Sequence, residues 1–195
     1  MSTTPDSFTL YPENLTDTVQ MNAGIIVDAF DPETRQIGNI LGATTNGISF
    51  DPHPSYEDFG ADIDNIPGPT WQLKRLTRFD PTLTGTFKTV TPDLVNRLNA
   101  GGGFAVVDGQ PDTSHIVPSH VLTAEDFQDV WVIGDYGGTG GFIAIHLRSA
   151  LNTIGFRWKT AKDGKGTFDY EFHAHYDLTN PDVPPYEIYI KGQVA

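Results

Sequence analysis

The chain contains no cysteine, and this absence removes several kinds of chemistry at once. Disulfide bonds, thiolate nucleophiles and cysteine-ligated metal sites are all excluded. Stability therefore has to come from packing and from partner subunits. The absence is also compatible with a reducing compartment such as a cytoplasm.

Basic residues are scarce as well. The 195 residues include 12 Lys and Arg against 25 Asp and Glu, which gives a formal net charge of −13. Because sustained binding of nucleic acid requires clustered cations, we expect that the protein does not hold any DNA it meets. The one dense basic group, Lys74, Arg75 and Arg78, is predicted to pair with acidic residues of a neighbouring subunit.

Long apolar runs are also missing, and no stretch approaches the length of a membrane span. Residues 1–21 are polar and aperiodic, and they lack the basic and apolar regions of a secretory signal. The sequence therefore predicts an N-terminal arm at 1–21, followed by one β domain at 22–195. We expect no membrane binding by this chain.

What the chain has in abundance is alternation of apolar and polar residues with a period of two. Alternate positions between Gly166 and Asp177 are apolar, and the positions between them carry carboxylates and imidazoles. After a turn rich in Pro, Asn and Asp, a second strand begins in which Tyr186, Ile188 and Ile190 form the apolar face. Each strand is thus predicted to bury one face and to leave the other wet.

Two further segments complete the outline of the fold. The stretch 73–90 can stay extended, as one long strand or a bent pair, with Phe79, Leu83 and Phe87 on one face. Its threonines, at 82, 84 and 86, fall on the other face. The clearest helix is 92–99, because Thr91 can cap it and Pro92 suits its first turn. These patterns predict a mainly β fold with one flanking helix.

Candidate ligand-binding residues are few. The sharpest is the set His173, His175 and Asp177, which a strand would place on one face, with His146 able to join from a neighbouring strand. A wet strand face explains the same residues, so no metal site is assigned. A metal-dependent β-sandwich enzyme that uses His173 and His175 stays open as an alternative.

A second set of possible ligands lies in the acidic stretch that follows the first strands, and it consists of Asp58, Asp62, Asp64 and Asn65. Their oxygens could bind Ca²⁺, but the stretch lacks the spacing of an EF-hand loop. Neither a phosphate-binding loop nor a nucleophile elbow occurs in the chain. We therefore assign no catalytic, cofactor-binding or metal-binding residue, and we predict that the protein is not an enzyme.

Several stretches resemble major tail tube proteins of long-tailed, siphovirus-type bacteriophages. The closing strands carry the first resemblance, in FDYEFHAHYDLTNPDVPPYEIYIK. Three earlier stretches follow in the order of that family: NAGIIVDAFDP, ILGATTNGISFDPHPSYEDFGADIDNIPG and KRLTRFDPTLTGTFKTVTPDLVNRL. Together these stretches cover most of the chain from Asn22 onward.

The resemblance implies a β-sandwich or barrel-like tail tube fold with one flanking α-helix and an extended N-terminal arm. It also implies hexameric rings that stack into a hollow tube, whose channel conducts DNA during ejection into the host. By analogy with the family, the partners would be sister copies, a tape-measure protein, and tail terminator and distal tail proteins. The protein would then belong to the virion tail and assemble in the host cytoplasm. A tube of the contractile-tail or type VI secretion kind is the related alternative.

Overall fold

The computed structural model describes residues 15, 19, 20, 22–99, 102–107, 110–135 and 140–192. Within them the protein is mainly β, with antiparallel sheets in a sandwich-like arrangement, so the predicted fold class is confirmed. The predicted N-terminal arm lies almost entirely outside the described residues. No helix in this described part of the chain is long and apolar enough to cross a membrane.

The strands and the helix follow one another from Ile25 to Lys191. They are β1 Ile25–Val27, β2 Ile40–Gly42, β3 Thr44–Asp51, β4 Pro54–Asp58, β5 Lys74–Phe79, β6 Thr82–Phe87, α1 Pro92–Leu98, β7 Gly102–Val107, β8 Gln110–Pro118, β9 Gln128–Asp135, β10 Phe142–Asn152, β11 Arg157–Lys159, β12 Thr167–His173 and β13 Tyr186–Lys191. Two single turns of 3₁₀ helix, Trp71–Leu73 and Ala124–Asp126, lie between strands.

Strand β10 joins the two layers of the sandwich. Its first half, from Phe142 to Leu147, pairs with β9 and β13, while its last residues, Leu151 and Asn152, pair with β12. The ladder shifts register between these halves, where Ser149 has a φ of 47°. The first layer thus has the order β2-β1-β9-β10-β13, and the second layer contains β12, β6 and β3, with β11 beside β12.

The main core lies between these layers. Leu83, Phe87 and Phe172 from the second layer are buried with Ile26 and Leu147 from the first, each at most 1% exposed. Burying one such side chain stabilises the fold by about 1.5–3 kcal/mol. The alternation predicted between Gly166 and Asp177 is confirmed from Phe168 to Ala174, where the apolar positions are all buried, but Tyr176 at its end is 39% exposed.

The predicted helix closes one end of this core. The Thr91 side chain accepts a hydrogen bond from the Leu94 backbone N–H at 3.1 Å, and Pro92 occupies the first turn. Leu94 and Leu98 are buried in the main core, as the apolar stripe predicted. The flanking helix is therefore confirmed, and it ends at Leu98.

The predicted long strand at 73–90 is a bent one. β3 and β6 pair inside the sandwich, and beyond a kink the same two segments pair again as β4 and β5. Pro52, His53 and Pro81 lie at this kink, where His53 has a φ of 38° and its carbonyl accepts the Asp80 N–H at 3.3 Å. We call β4, β5 and their connection at 59–73 the ribbon. It forms a two-stranded sheet of its own beyond the sandwich.

The last strand departs from its prediction. Ile188 and Ile190 were expected to be buried, yet they are 50% and 63% exposed. Their cross-strand neighbours show that they do face the inner side of the first layer, since Ile188 lies opposite Ile145. The predicted face is therefore correct. The predicted burial of Ile188 and Ile190 is wrong, because β13 is an edge strand that pairs with β10 alone among the described strands.

Candidate functional site: a polar sheet face and an uncovered ribbon

The outer face of the second layer is polar across three adjacent strands. On this side of the sheet, the residues that pair across β3, β6 and β12 are all polar, with hydroxyl, carboxylate or imidazole groups. We call these residues the polar face: Thr45, Ser49, Asp51, Thr82, Thr84, Thr86, Thr167, Asp169, Glu171 and His173, with Arg157 and Lys159 beside them on β11. The same period of two that buries Leu83 and Phe87 therefore presents three threonines from β6 on the opposite side.

Hydrogen bonds fix several side chains of the polar face. The Thr86 hydroxyl donates to Asp169 Oδ1 at 2.8 Å, which ties β6 to β12 across the ladder. His173 Nε2 lies 2.9 Å from Glu171 Oε1, and His173 Nδ1 lies 3.4 Å from Asp80 Oδ1. Both ring nitrogens of His173 thus face carboxylates rather than an open coordination position.

Carboxylates outnumber cations on this face. Asp51, Asp169 and Glu171 belong to it, whereas its cations are Arg157 and Lys159, which share one side of β11. The remaining positions carry mainly neutral hydroxyls. Such a surface repels phosphate and offers few of the cationic contacts that release counterions when a protein binds DNA.

The ribbon continues both faces of the second layer. On one side, Ser55 and Arg78 line a cleft together with Thr84, Glu171 and His173, so the polar face continues onto the ribbon. On the other side lie Tyr56 and its cross-strand partner Leu76, which are 57% and 46% exposed. The core-facing side of the ribbon therefore carries an exposed apolar pair, with the paired positions Asp58 and Lys74 next to it.

Aromatic and basic residues cluster on the ribbon. Lys74 Nζ lies 5.0 Å from the centre of the Tyr56 ring, and the Arg75 guanidinium lies 5.6 Å from that of Phe59. Trp71, in the connection between the two strands, is 81% exposed. The predicted basic group thus lies on β5, and within the described residues none of its cations makes an ion pair with a carboxylate.

The predicted metal-ligating set is brought together only in part. His173 lies in the cleft below the ribbon, whereas His175 and Asp177 line a second cleft with His146. The strand β12 ends at His173, and His175 Nδ1 then donates to the backbone oxygen of Ser149 at 3.0 Å. The expectation that these residues share one strand face is therefore wrong, because the chain leaves the sheet between them.

His146 also makes contacts that sequence reasoning missed. Its ring stacks on Trp131 with centres 4.0 Å apart, and its Nε2 lies 2.9 Å from Asp129 Oδ2. The hydrogen bond with His146 is the main reason that the pKa of Asp129 lies below its usual value. The pKa of Glu187, beside the same histidine, is lowered chiefly by the Tyr189 hydroxyl, which donates to it at 2.6 Å. Arg148 also contacts Glu187.

The acidic stretch at 58–65 likewise shows no converging ligands. Asp58 Oδ1 accepts the Gly60 backbone N–H at 3.0 Å and so shapes the start of the connection. Asp62, Asp64 and Asn65 are exposed. Across the described residues, no group of three or more His, Asp or Glu side chains could hold a metal ion.

Fold and surfaces together define a mainly β, sandwich-like protein with a polar outer sheet face and a projecting two-stranded ribbon. No protein-family model and no curated protein matches the chain. These surfaces and the resemblance of the sequence to tail tube proteins are therefore what indicate the function.

Proposed function

We propose that the chain is a structural subunit of the tail tube of a long-tailed bacteriophage. In this proposal, sister copies form hexameric rings that stack into a tube, and the channel conducts DNA during ejection into the host. The observation that carries the proposal is the ribbon, whose polar side continues the polar face while Tyr56 and Leu76 lie open on the other side. A two-stranded sheet with an uncovered apolar side is marginal in water, so a partner has to supply its second layer.

The polar face supports the second half of the proposal, which is passage of DNA without binding. Threonine and serine hydroxyls give a wettable surface, and the carboxylates of Asp51, Asp169 and Glu171 repel phosphate. If this face lines the bore, DNA meets few cations and forms few lasting contacts. The net charge of −13 acts in the same direction.

The same proposal implies further partners and a location for the protein. A tape-measure protein, a tail terminator and distal tail proteins would contact the tube at its inside or its ends. The subunit would assemble in the host cytoplasm and reside in the virion tail.

Self-association is tested by light scattering on the full-length chain over a range of concentrations. We expect the wild type to form ring-sized or larger species, and Leu76→Asp to remain a monomer, because a charge on the ribbon's apolar side would be buried in the contact. Leu178→Asp is the matched control, since Leu178 is 96% exposed and lies outside the ribbon. A wild type that stays monomeric at every concentration contradicts the proposal.

The role of the polar face is tested by reversing its charge. In assembled tubes, Asp169→Lys combined with Glu171→Lys should retain short duplex DNA that wild-type tubes do not retain, and added salt should release it. Co-sedimentation of tubes and DNA measures this. Equal retention by both proteins would show that this face does not meet DNA.

A further inference from the structure

A second apolar surface lies at the edge of the first layer. Ile188 and Ile190 are 50% and 63% exposed on β13, and Ile143 lies opposite Ile190 on β10. We call Ile143, Ile188 and Ile190 the isoleucine shelf. An exposed row of branched apolar side chains on an edge strand is a surface that normally needs a partner.

The shelf is a continuation of the main core. Ile188 pairs with Ile145, Ile145 pairs with Val132, and Val132 pairs with Ile26, so all four face the same side of the layer. At the far end of this row, Ile26 is fully buried. One row of side chains is thus covered at β1 and open at β13.

Among the described residues, the second layer does not extend over the isoleucine shelf. Phe50, on the edge strand β3 of the second layer, contacts the Tyr186 ring at the start of β13, with ring centres 5.4 Å apart. Phe79, at the base of the ribbon, contacts the same ring at 5.2 Å. Beyond Tyr186 the exposure of Ile188 and Ile190 shows that no described strand lies over them.

We propose that the isoleucine shelf receives the apolar side of the ribbon from a neighbouring copy of the chain. This inference rests on the proposed function and names the two surfaces that meet in it. Both surfaces extend the inner faces of the sandwich, one from each layer, so the ribbon of one copy supplies the layer that the shelf of the next copy lacks. Tyr56 and Leu76 then pack on Ile188 and Ile190.

Symmetry favours this pairing over contact between two ribbons. Charge does not separate the two, because Arg75 and Lys74 on β5 lie opposite Glu57 and Asp58 on β4. Ribbon against ribbon is contact between two identical patches, which is complete in a dimer. Contact between two different patches is head-to-tail, and a head-to-tail contact closes into rings where its rotation permits.

Crosslinking tests the contact directly, because the chain has no native cysteine. Full-length Leu76→Cys and Ile188→Cys proteins, one of them enlarged by a fusion tag, are mixed under assembly conditions and treated with a short bismaleimide. The mixed crosslinked pair should dominate. Leu76→Cys mixed with Leu178→Cys measures the background from random encounters, since Leu178 is 96% exposed and outside both surfaces.

Two results would overturn the inference: mixed pairs no more abundant than that background, or a predominance of Leu76→Cys homodimers. Electron microscopy of the same mixtures separates this failure from failure of the proposed function. Rings without the mixed crosslink overturn the shelf contact alone, whereas neither rings nor crosslinks overturn both. As a second readout, Ile188→Asp should unfold as cooperatively as the wild type and yet lose the rings.

Discussion

The two halves of the bent strand pair, inside the sandwich and beyond the kink, alternate apolar and polar residues in the same way. Inside the sandwich, Leu83 and Phe87 are fully buried against the first layer and the helix. Beyond the kink, Tyr56 and Leu76 face the corresponding side and are about half exposed. Alternation thus determines which face a residue takes, and a second layer determines whether that face is buried. Among the described residues, no second layer covers the ribbon.

The largest effect expected from this comparison is on the free energy of unfolding of the monomer. Phe172→Ala removes a side chain that is 1% exposed in the main core, and it should cost about 3–5 kcal/mol. Leu76→Ala in the ribbon should change the same quantity by less than about 0.5 kcal/mol, as is usual for surface positions. Urea unfolding of dilute protein measures both. Equal losses would mean that the ribbon is already covered in the monomer.

Close packing within the sandwich gives the next prediction. A Cβ added at Gly85 would lie 2.6 Å from Cζ of Tyr170, so Gly85→Ala should destabilise the monomer by about 1–3 kcal/mol. The Tyr170 hydroxyl is buried and has no hydrogen-bond partner among the described residues. Tyr170→Phe should therefore be nearly neutral alone, and it should reduce the loss caused by Gly85→Ala. A double-mutant cycle without coupling would contradict this packing.

Removing a buried hydrogen bond should destabilise the monomer more than removing an exposed one in the ribbon. The Asn152 side chain donates to Leu98 O at 2.7 Å and accepts the Glu171 N–H at 2.9 Å, linking the helix to β10 and β12. Asn152→Ala should cost about 1–3 kcal/mol, because it leaves buried backbone groups unpaired. Thr77→Ala removes an exposed ribbon bond to Ser55 O and should cost far less. Calorimetry of both variants checks the difference, and similar melting temperatures would refute it.

The smallest effect is a dependence on pH inside the sandwich. The folded pKa of Asp129 is lowered, first by its hydrogen bond with His146, so the contribution of Asp129 to stability is present above the usual value of 3.8. This contribution to stability is lost as the pH falls through the lowered pKa of Asp129 in the folded protein. The difference in melting temperature between wild type and Asp129→Asn should therefore shrink below about pH 3.8. Because Asp129 is half exposed, we expect a small shift; a difference that grows in acid would contradict the assignment.

Local patterns predicted much of this fold from the sequence. The buried positions of β12, the capped helix and the bent strand at 73–90 all follow from periodicity and from the behaviour of Pro and Thr. Two strands, β2 and β7, were not predicted, and β7 begins at Gly102, a residue type that strands disfavour. The polarity of the surface formed by β6 and β12 was also predicted, from Thr84, Thr86 and Asp169.

Contacts between distant segments could not be predicted in this way. Nothing in the local pattern shows that Ile188 lies beyond the edge of the second layer, or that β12 ends before His175. The stacking of His146 on Trp131 depends on the register between β9 and β10, which one sequence does not reveal. The exposed apolar faces of the ribbon and of β13 depend on how far the two layers overlap, which the local pattern does not determine.

Electron microscopy of concentrated, full-length protein tests most directly whether sister copies complete the ribbon. The account predicts closed rings or hollow tubes with an open centre for the wild type, and their loss in Leu76→Asp. A field of single, compact particles at every concentration would contradict it.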